Sequence, residues 1–171
     1  EDSDRLMAVL ADISGQPVPS RYARQRKVLA DGMRDAHAVF GGRRICLALE
    51  PDLAVQTSRW LAEMGASPRL AVIPTLSDAA GLIQADQVEI GGLSAVSGTF
   101  DLLISNSHAV DTARRTGASL LQLGFPLTKV LGGAARTTIG YRGTLGLIYE
   151  AGNLLLHAHD RAGEQRTRPA A

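Results

Sequence analysis

The chain has 171 residues, 45% hydrophobic and 20% charged, the composition of an ordinary globular domain that buries roughly 70% of its unfolded surface. Eighteen Lys and Arg against seventeen Asp and Glu leave a formal net charge of +1, which makes no case for nucleic-acid or membrane affinity, and no apolar run approaches the ~20 residues that cross a bilayer. A single cysteine, Cys46, rules out an intrachain disulfide or an all-cysteine metal site within one chain and fits a reducing cytoplasm.

The acidic start lacks the basic-then-apolar order of a signal peptide, and opening on Glu1 rather than Met fits a piece of a longer chain. Residues 1–42 read as a helical segment. Ser3 is placed as the cap of a first helix with Leu6, Val9, Leu10 and Ile13 on its apolar positions, and Gly15 stands just past its end. After Pro17 and Pro19, a longer helix over 20–39 aligns Tyr22, Leu29, Met33, Ala36 and Phe40 in one stripe. Lys27 and Asp31, four apart, are set to pair weakly.

From residue 43 short apolar runs alternate with helical stretches. Strands are expected near 44–49, 69–73, 87–90, 101–104 and 119–123. Pro51 and Asp52 open a helix reaching Met64, with Leu53, Thr57, Trp60, Leu61 and Met64 at helical spacing. A short helix near 77–84, a turn at 93–98 and a helix from Asn106 to Gly117 follow. The last helix spans about 143–158 on Leu145, Ile148, Gly152 and Leu155, and 160–171 reads as a disordered tail. The alternation predicts an α/β domain over 43–159: a parallel, five-stranded, Rossmann-like sheet with helices on both faces, preceded by the N-terminal helical extension.

Ligands of such sheets sit beyond the carboxyl ends of the strands, so the loops beginning at Glu50, Pro74, Gly91, Ser105 and Gly124 are where a bound group would be sought. Dinucleotide, phosphate-loop, zinc-protease, paired-cysteine and nucleophile-elbow motifs are all missing, so no residue is assigned as catalytic. Cys46 falls inside a central strand and reads as core packing. His157 and His159, two apart, diverge on a helix and give no metal pair. Arg21, Arg24, Arg26 and Lys27 form the wet side of an amphipathic helix. Gly132, Gly133, Gly140 and Gly143, around Arg136 and Tyr141, imply positive φ or close backbone approach. The candidate loop or interface residues are Asp52, Asn106, His108, Phe125, Arg136, Tyr141 and Arg142, with no metal ligand among them and any cofactor contact unassigned.

Several segments in order add a resemblance. Gly42-Arg43-Arg44-Ile45, Leu49-Glu50-Pro51-Asp52-Leu53 and Leu61-Ala62-Glu63-Met64-Gly65-Ala66 resemble the opening of the last domain of nitrogenase β-type subunits. Asp101 to His108 is similar to that family's strand and loop, and Leu123-Gly124-Phe125-Pro126 and Gly140-Tyr141-Arg142-Gly143 to its closing signatures. The compact stretch between 74 and 100, with His108 and Gly132-Gly133, looks more like the family's cofactor-assembly branch, the NifN proteins, than its enzyme branch. The resemblance implies a scaffold domain rather than an enzyme. Its partners would be a NifE-like subunit, in a heterotetramer, and a NifH-like reductase. The full complex would carry an iron–sulfur cluster and an iron–molybdenum cofactor precursor, with none bound by this segment alone. The family's cluster cysteine lies in an N-terminal region that this sequence does not include, and Cys46 does not match it. A catalytic nitrogenase β subunit and a protochlorophyllide reductase-like subunit share the architecture and remain alternatives. A small-molecule binding module using the strand-end loops is the alternative of another class.

Overall fold

A computed structural model describes residues 1–167. The five expected strands are present: β1 (Ile45–Ala48), β2 (Leu70–Ile73), β3 (Val88–Ile90), β4 (Leu102–Ser105) and β5 (Ser119–Gln122). They form one parallel sheet in the order β3-β2-β1-β4-β5. The helices are α1 (Asp2–Ser14), α2 (Ser20–Phe40), α3 (Pro51–Glu63), α4 (Val110–Thr116) and α5 (Gly140–Thr167). The short helix expected near 77–84 is a 3-10 helix over 78–82, and a single 3-10 turn at 93–95 falls within the turn expected at 93–98.

Successive strand residues point to opposite faces, so β1 feeds two cores. Ile45 and Leu47 join Phe40, Leu61, Ile104, Ile148 and Leu155 in a core covered by α2, α3 and α5. Cys46 and Ala48 join Val72, Val96, Phe100, Leu103 and Ala113 in a smaller one under α4. Each fully buried Leu, Ile or Phe contributes about 1.5–3 kcal/mol of transfer free energy. Continuous burial along β1, β2 and β4 follows from cover on both faces. β3 is a short edge strand with Val88 and Ile90 exposed.

The remaining expectations divide. α2 uses the predicted stripe: Ala36 and Phe40 are buried, and Leu29 and Met33 pack against the core. α1 starts two residues early, capped by Glu1 without a side-chain bond, so Ser3 is inside the helix and not its cap. No residue of α1 is buried, and Leu6, Val9, Leu10 and Ile13 are all exposed. Asp31 pairs with Arg34 at 2.8 Å instead of Lys27. Asp and Arg three apart reach each other along a helix as readily as residues four apart, and the guanidinium is the better fork for a carboxylate. α5 begins at Gly140 and continues to Thr167, overrunning the expected tail, because Glu, Gln, Arg and Ala in 160–167 are good helix formers that extend an anchored helix cheaply. The rest of that tail, 168–171, lies outside the described residues. Among the described residues no helix is long and apolar enough to cross a membrane.

Candidate functional site

The strand order places a switch point beside β1: the chain leaves β1 toward β2 on one side and returns to β4 on the other. A cavity of about 130 Å³ opens there, beyond the carboxyl ends of the strands, against Leu49, Glu50, Pro74, Asn106, Gly124 and Phe125. It lies where the sequence argument placed it. Its volume is well below the ~300–1,000 Å³ of sites that enclose a drug-sized ligand.

Asn106 organises the crevice. Its side-chain carbonyl accepts the His108 backbone N–H at 3.0 Å, opening the 3-10 turn that leads into α4, and its Nδ2 donates to the Phe125 carbonyl at 3.0 Å. One side chain thus ties the loop after β4 to the loop after β5. The Phe125 ring is 89% exposed, and the Phe125–Pro126 peptide is cis. Ser107 is the residue that sequence reasoning passed over. It is buried, donates to Gln122 Oε1 at 2.6 Å and accepts the backbone N–H groups of Thr128 and Lys129 at 2.8 and 3.1 Å. The signal available was a polar Ser-Asn-Ser run directly after an apolar strand, the composition of side-chain-closed turns. Ser105 anchors the same end of the sheet by donating to the Ala48 carbonyl at 2.7 Å.

The other candidates lie elsewhere. Arg136 clamps the 124–139 loop to α5: Nη1 donates to both Glu150 carboxylate oxygens at 2.9 Å and Nη2 to the Gln122 carbonyl. Tyr141 is buried at the start of α5 and donates to the Asp4 carboxylate at 2.8 Å, across 137 residues of sequence. Asp4 also accepts from Arg26 Nε at 2.8 Å. That bond outweighs burial, and with Tyr141 it holds the Asp4 carboxyl below its usual range. Burial and the Asp4 bond raise the Tyr141 phenol. Asp52 and Arg142 are exposed in the first turns of α3 and α5, and the His108 ring is exposed on its loop. The candidates therefore divide among a crevice, a loop clamp and a tie to α1, with three left at the surface. Of the four glycines, Gly132 and Gly140 have φ of 72° and 70°. Gly143 meets the other expectation, since a Cβ there would lie 2.5 Å from the Thr138 carbonyl carbon.

An iron–sulfur cluster does not fit the residues present. Cys46 is fully buried in the central strand, and burial, with the Glu89 carboxylate adding to it, pushes its thiol up to about 12. A ligand must be a thiolate at the surface of a site. Among the described residues no group of three or more His, Cys, Asp or Glu side chains could hold a metal ion. What the crevice offers is a rigid, hydrogen-bonded apolar wall.

Comparison with known proteins completes the picture. The family model for nitrogenase component 1 type oxidoreductases matches residues 1–156. The chain is 39% identical over 163 residues to the nitrogenase iron–molybdenum cofactor biosynthesis protein NifN of Bradyrhizobium diazoefficiens, covering 92% of this chain and 35% of that protein. It is 42% identical over 142 residues to NifN of Rippkaea orientalis, covering 81% and 31%. It thus spans about a third of the length of the curated relatives it matches. Among solved structures, a chain of nitrogenase Cp1 at pH 6.5 superposes with a TM-score of 0.85 at 24% identity, over 99% of this chain and 40% of that one, a likeness of fold. With its five-stranded parallel sheet and a family match running almost end to end, the chain belongs to the nitrogenase component 1 type oxidoreductase family.

Proposed function

We propose that this chain is a scaffold domain of a nitrogenase cofactor-assembly subunit. In this reading it pairs with a NifE-like subunit in a heterotetramer, receives a NifH-like reductase, and supports maturation of the iron–molybdenum cofactor without turning over a substrate itself. The iron–sulfur cluster and the cofactor precursor belong to the full complex. The observation that carries the reading is the 39% and 42% identity to NifN proteins over most of the chain. The chemistry of the domain agrees with it. A parallel sheet whose end loops are fastened by Asn106, Ser107 and Arg136 supplies a rigid wall, and rigid elements are what hold a site built from several chains. The demanding chemistry of such assemblies resides in the metal cluster and not in side-chain acids and bases.

The test is a chimaera. The matching segment of Bradyrhizobium NifN is replaced by these 171 residues and produced with NifE. The complex is expected to co-purify and to supply cofactor to cofactor-free nitrogenase. A chimaera that binds NifE but matures no cofactor would contradict the assembly role. Iron and visible iron–sulfur absorption retained by the 171-residue chain on its own would contradict the placing of the cluster.

A further inference from the structure

The two edges of the sheet are finished differently. At β5, Ser119 donates to the Asp101 carbonyl and Leu123 to that of Ser105, so alternate residues face β4 and Gln122 faces outward. Arg136 occupies the outward Gln122 carbonyl and closes that edge. β3 ends the sheet on the other side. The Gln87 carbonyl accepts the Ala71 N–H at 2.8 Å, and the Gly91 N–H donates to the Ile73 carbonyl at 2.9 Å. Residues 87, 89 and 91 therefore face β2, and the amide and carbonyl groups of Val88 and Ile90 point away from the sheet. No described residue bonds to them. Such a row of outward backbone groups is a template for one more strand.

The side chains select which strand. Val88 and Ile90 stand beside Ala71 and Ile73 on the face of the larger core, 36% and 56% exposed. Glu89 stands beside Val72 on the opposite face. It is half-buried, and its carboxylate accepts from Gln87 Nε2 at 2.6 Å. Among the described residues no Lys or Arg forms an ion pair with it. An added antiparallel strand sets one side chain directly opposite each of these three, and opposite charges attract across such a pair. A cation opposite Glu89, between two apolar residues, completes all three positions. A second copy of this chain fails that requirement. The two-fold register that uses both outward residues would set Glu89 against Glu89, and like charges directly opposed are unfavourable.

We propose that the β3 edge is a docking site for an extended strand of a partner protein, one with Lys or Arg between two apolar residues. The strand runs antiparallel to β3. Its two apolar residues exchange main-chain bonds with Val88 and Ile90, and its cation meets Glu89. The site is separate from the strand-end crevice and stands or falls independently of the assembly reading.

The probe is a blocked, fluorescein-labelled peptide, Ser-Thr-Val-Lys-Val-Thr-Ser, titrated against the 171-residue protein by fluorescence anisotropy with sedimentation velocity alongside. Saturable binding with a Kd below about 1 mM is expected, without self-association, and with slowed exchange of the Val88 and Ile90 amides by NMR. Methylating the backbone nitrogens of both valines should weaken binding at least about ten-fold, while methylating that of the lysine, which points away from β3, should cost much less. Replacing the lysine by glutamate should weaken binding about five-fold or more, and Glu89→Gln should remove that preference. Val88→Pro deletes an amide that β2 does not use and should abolish binding; if it fails to fold, the methylated peptides decide. The chimaera with Bradyrhizobium NifN should bind the peptide as the shorter chain does. Non-saturating anisotropy, indifference to the methyl groups or to the charge reversal, or a signal that tracks self-association would each overturn the proposal. So would a chimaera that co-purifies with NifE yet leaves the peptide unbound, because the edge would then be closed by the subunit itself.

Discussion

Replacing Phe40 by alanine tests the packing argument most directly. Phe40 closes α2, is fully buried and meets Trp60 edge-on, with ring centroids 6.1 Å apart at 87°. On one side it adjoins Gly152 of α5, and around it lies the larger core that contains Leu61 and Ile148. Removing a buried phenyl ring costs about 3–5 kcal/mol in transfer and cavity terms. Loss of the edge-to-face pair adds about 0.5–1.5 kcal/mol. A loss of about 4–5 kcal/mol is a large share of the roughly 5–15 kcal/mol that holds a domain together. Urea unfolding followed by far-ultraviolet circular dichroism is the suitable assay, because Trp60 emission changes with its neighbour even in the folded state. The midpoint should fall with an unchanged slope. Phe40→Leu, which leaves most of the volume filled, should lose less than half as much. A Phe40→Ala loss below about 1.5 kcal/mol at constant slope would show that α2 is not locked to the sheet through this ring.

Other consequences are equally open to measurement. Ser107→Ala leaves the Thr128 and Lys129 amides without their acceptor and should cost about 1–3 kcal/mol; in a thermal melt this corresponds to a fall of roughly 2–4 °C per kcal/mol. Gly143→Ala drives a Cβ into the Thr138 backbone, which cannot swing aside, so a loss above about 2 kcal/mol is expected in the same melt. Arg136→Met should reduce hydrogen-exchange protection in 124–139 while leaving β1 and β4 unchanged, since it releases only the clamp onto Glu150 and Gln122. Asp101 accepts the Arg44 backbone N–H at 2.8 Å and its guanidinium at 2.7 Å. Burial alone would raise the Asp101 carboxyl, but the Arg44 bonds prevail and hold it below its ordinary value. Its contribution is therefore complete above the unfolded pKa of about 3.9 and is lost as pH falls through the lower folded value. The stability gap between wild type and Asp101→Asn, about 1 kcal/mol at neutral pH, should close in that acidic window. A gap that persists undiminished at pH 2 would refute the linkage.

The sheet was the most legible part of the chain. Runs such as Ile45-Cys46-Leu47-Ala48 and Leu102-Leu103-Ile104 are too short for helices and apolar on every position, which only strands covered on both faces require. Helix stops at Gly15, Gly65 and Gly117 were equally plain, because each adopts the left-handed conformation. Helix starts were harder. Ser3 has the chemistry of a cap, yet Glu1 takes that place, since a cap is chosen by where the backbone turns and not by side chain alone. The end of α5 was missed for a related reason: polar composition marks exposure, and an exposed helix looks like a tail.

For the site, sequence located the loops but not their connections. Asn106 and Phe125 were picked out separately, and nothing local indicated that the amide of one meets the carbonyl of the other. Tyr141 was assigned to a glycine-rich loop, while its partner Asp4 stands at the opposite end of the chain.

The placement of Cys46 gives the molecule a built-in stopwatch. The thiol sits in the middle strand, flanked by Leu70 on β2 and Leu103 on β4, and its proton is held until about pH 12 while the sheet is closed. Alkylating reagents attack the thiolate, so they find nothing to react with until the strands part and the side chain regains its ordinary acidity of about 8.5. The pace at which such a reagent consumes the chain therefore counts openings of the sheet itself, one modified molecule for each excursion caught.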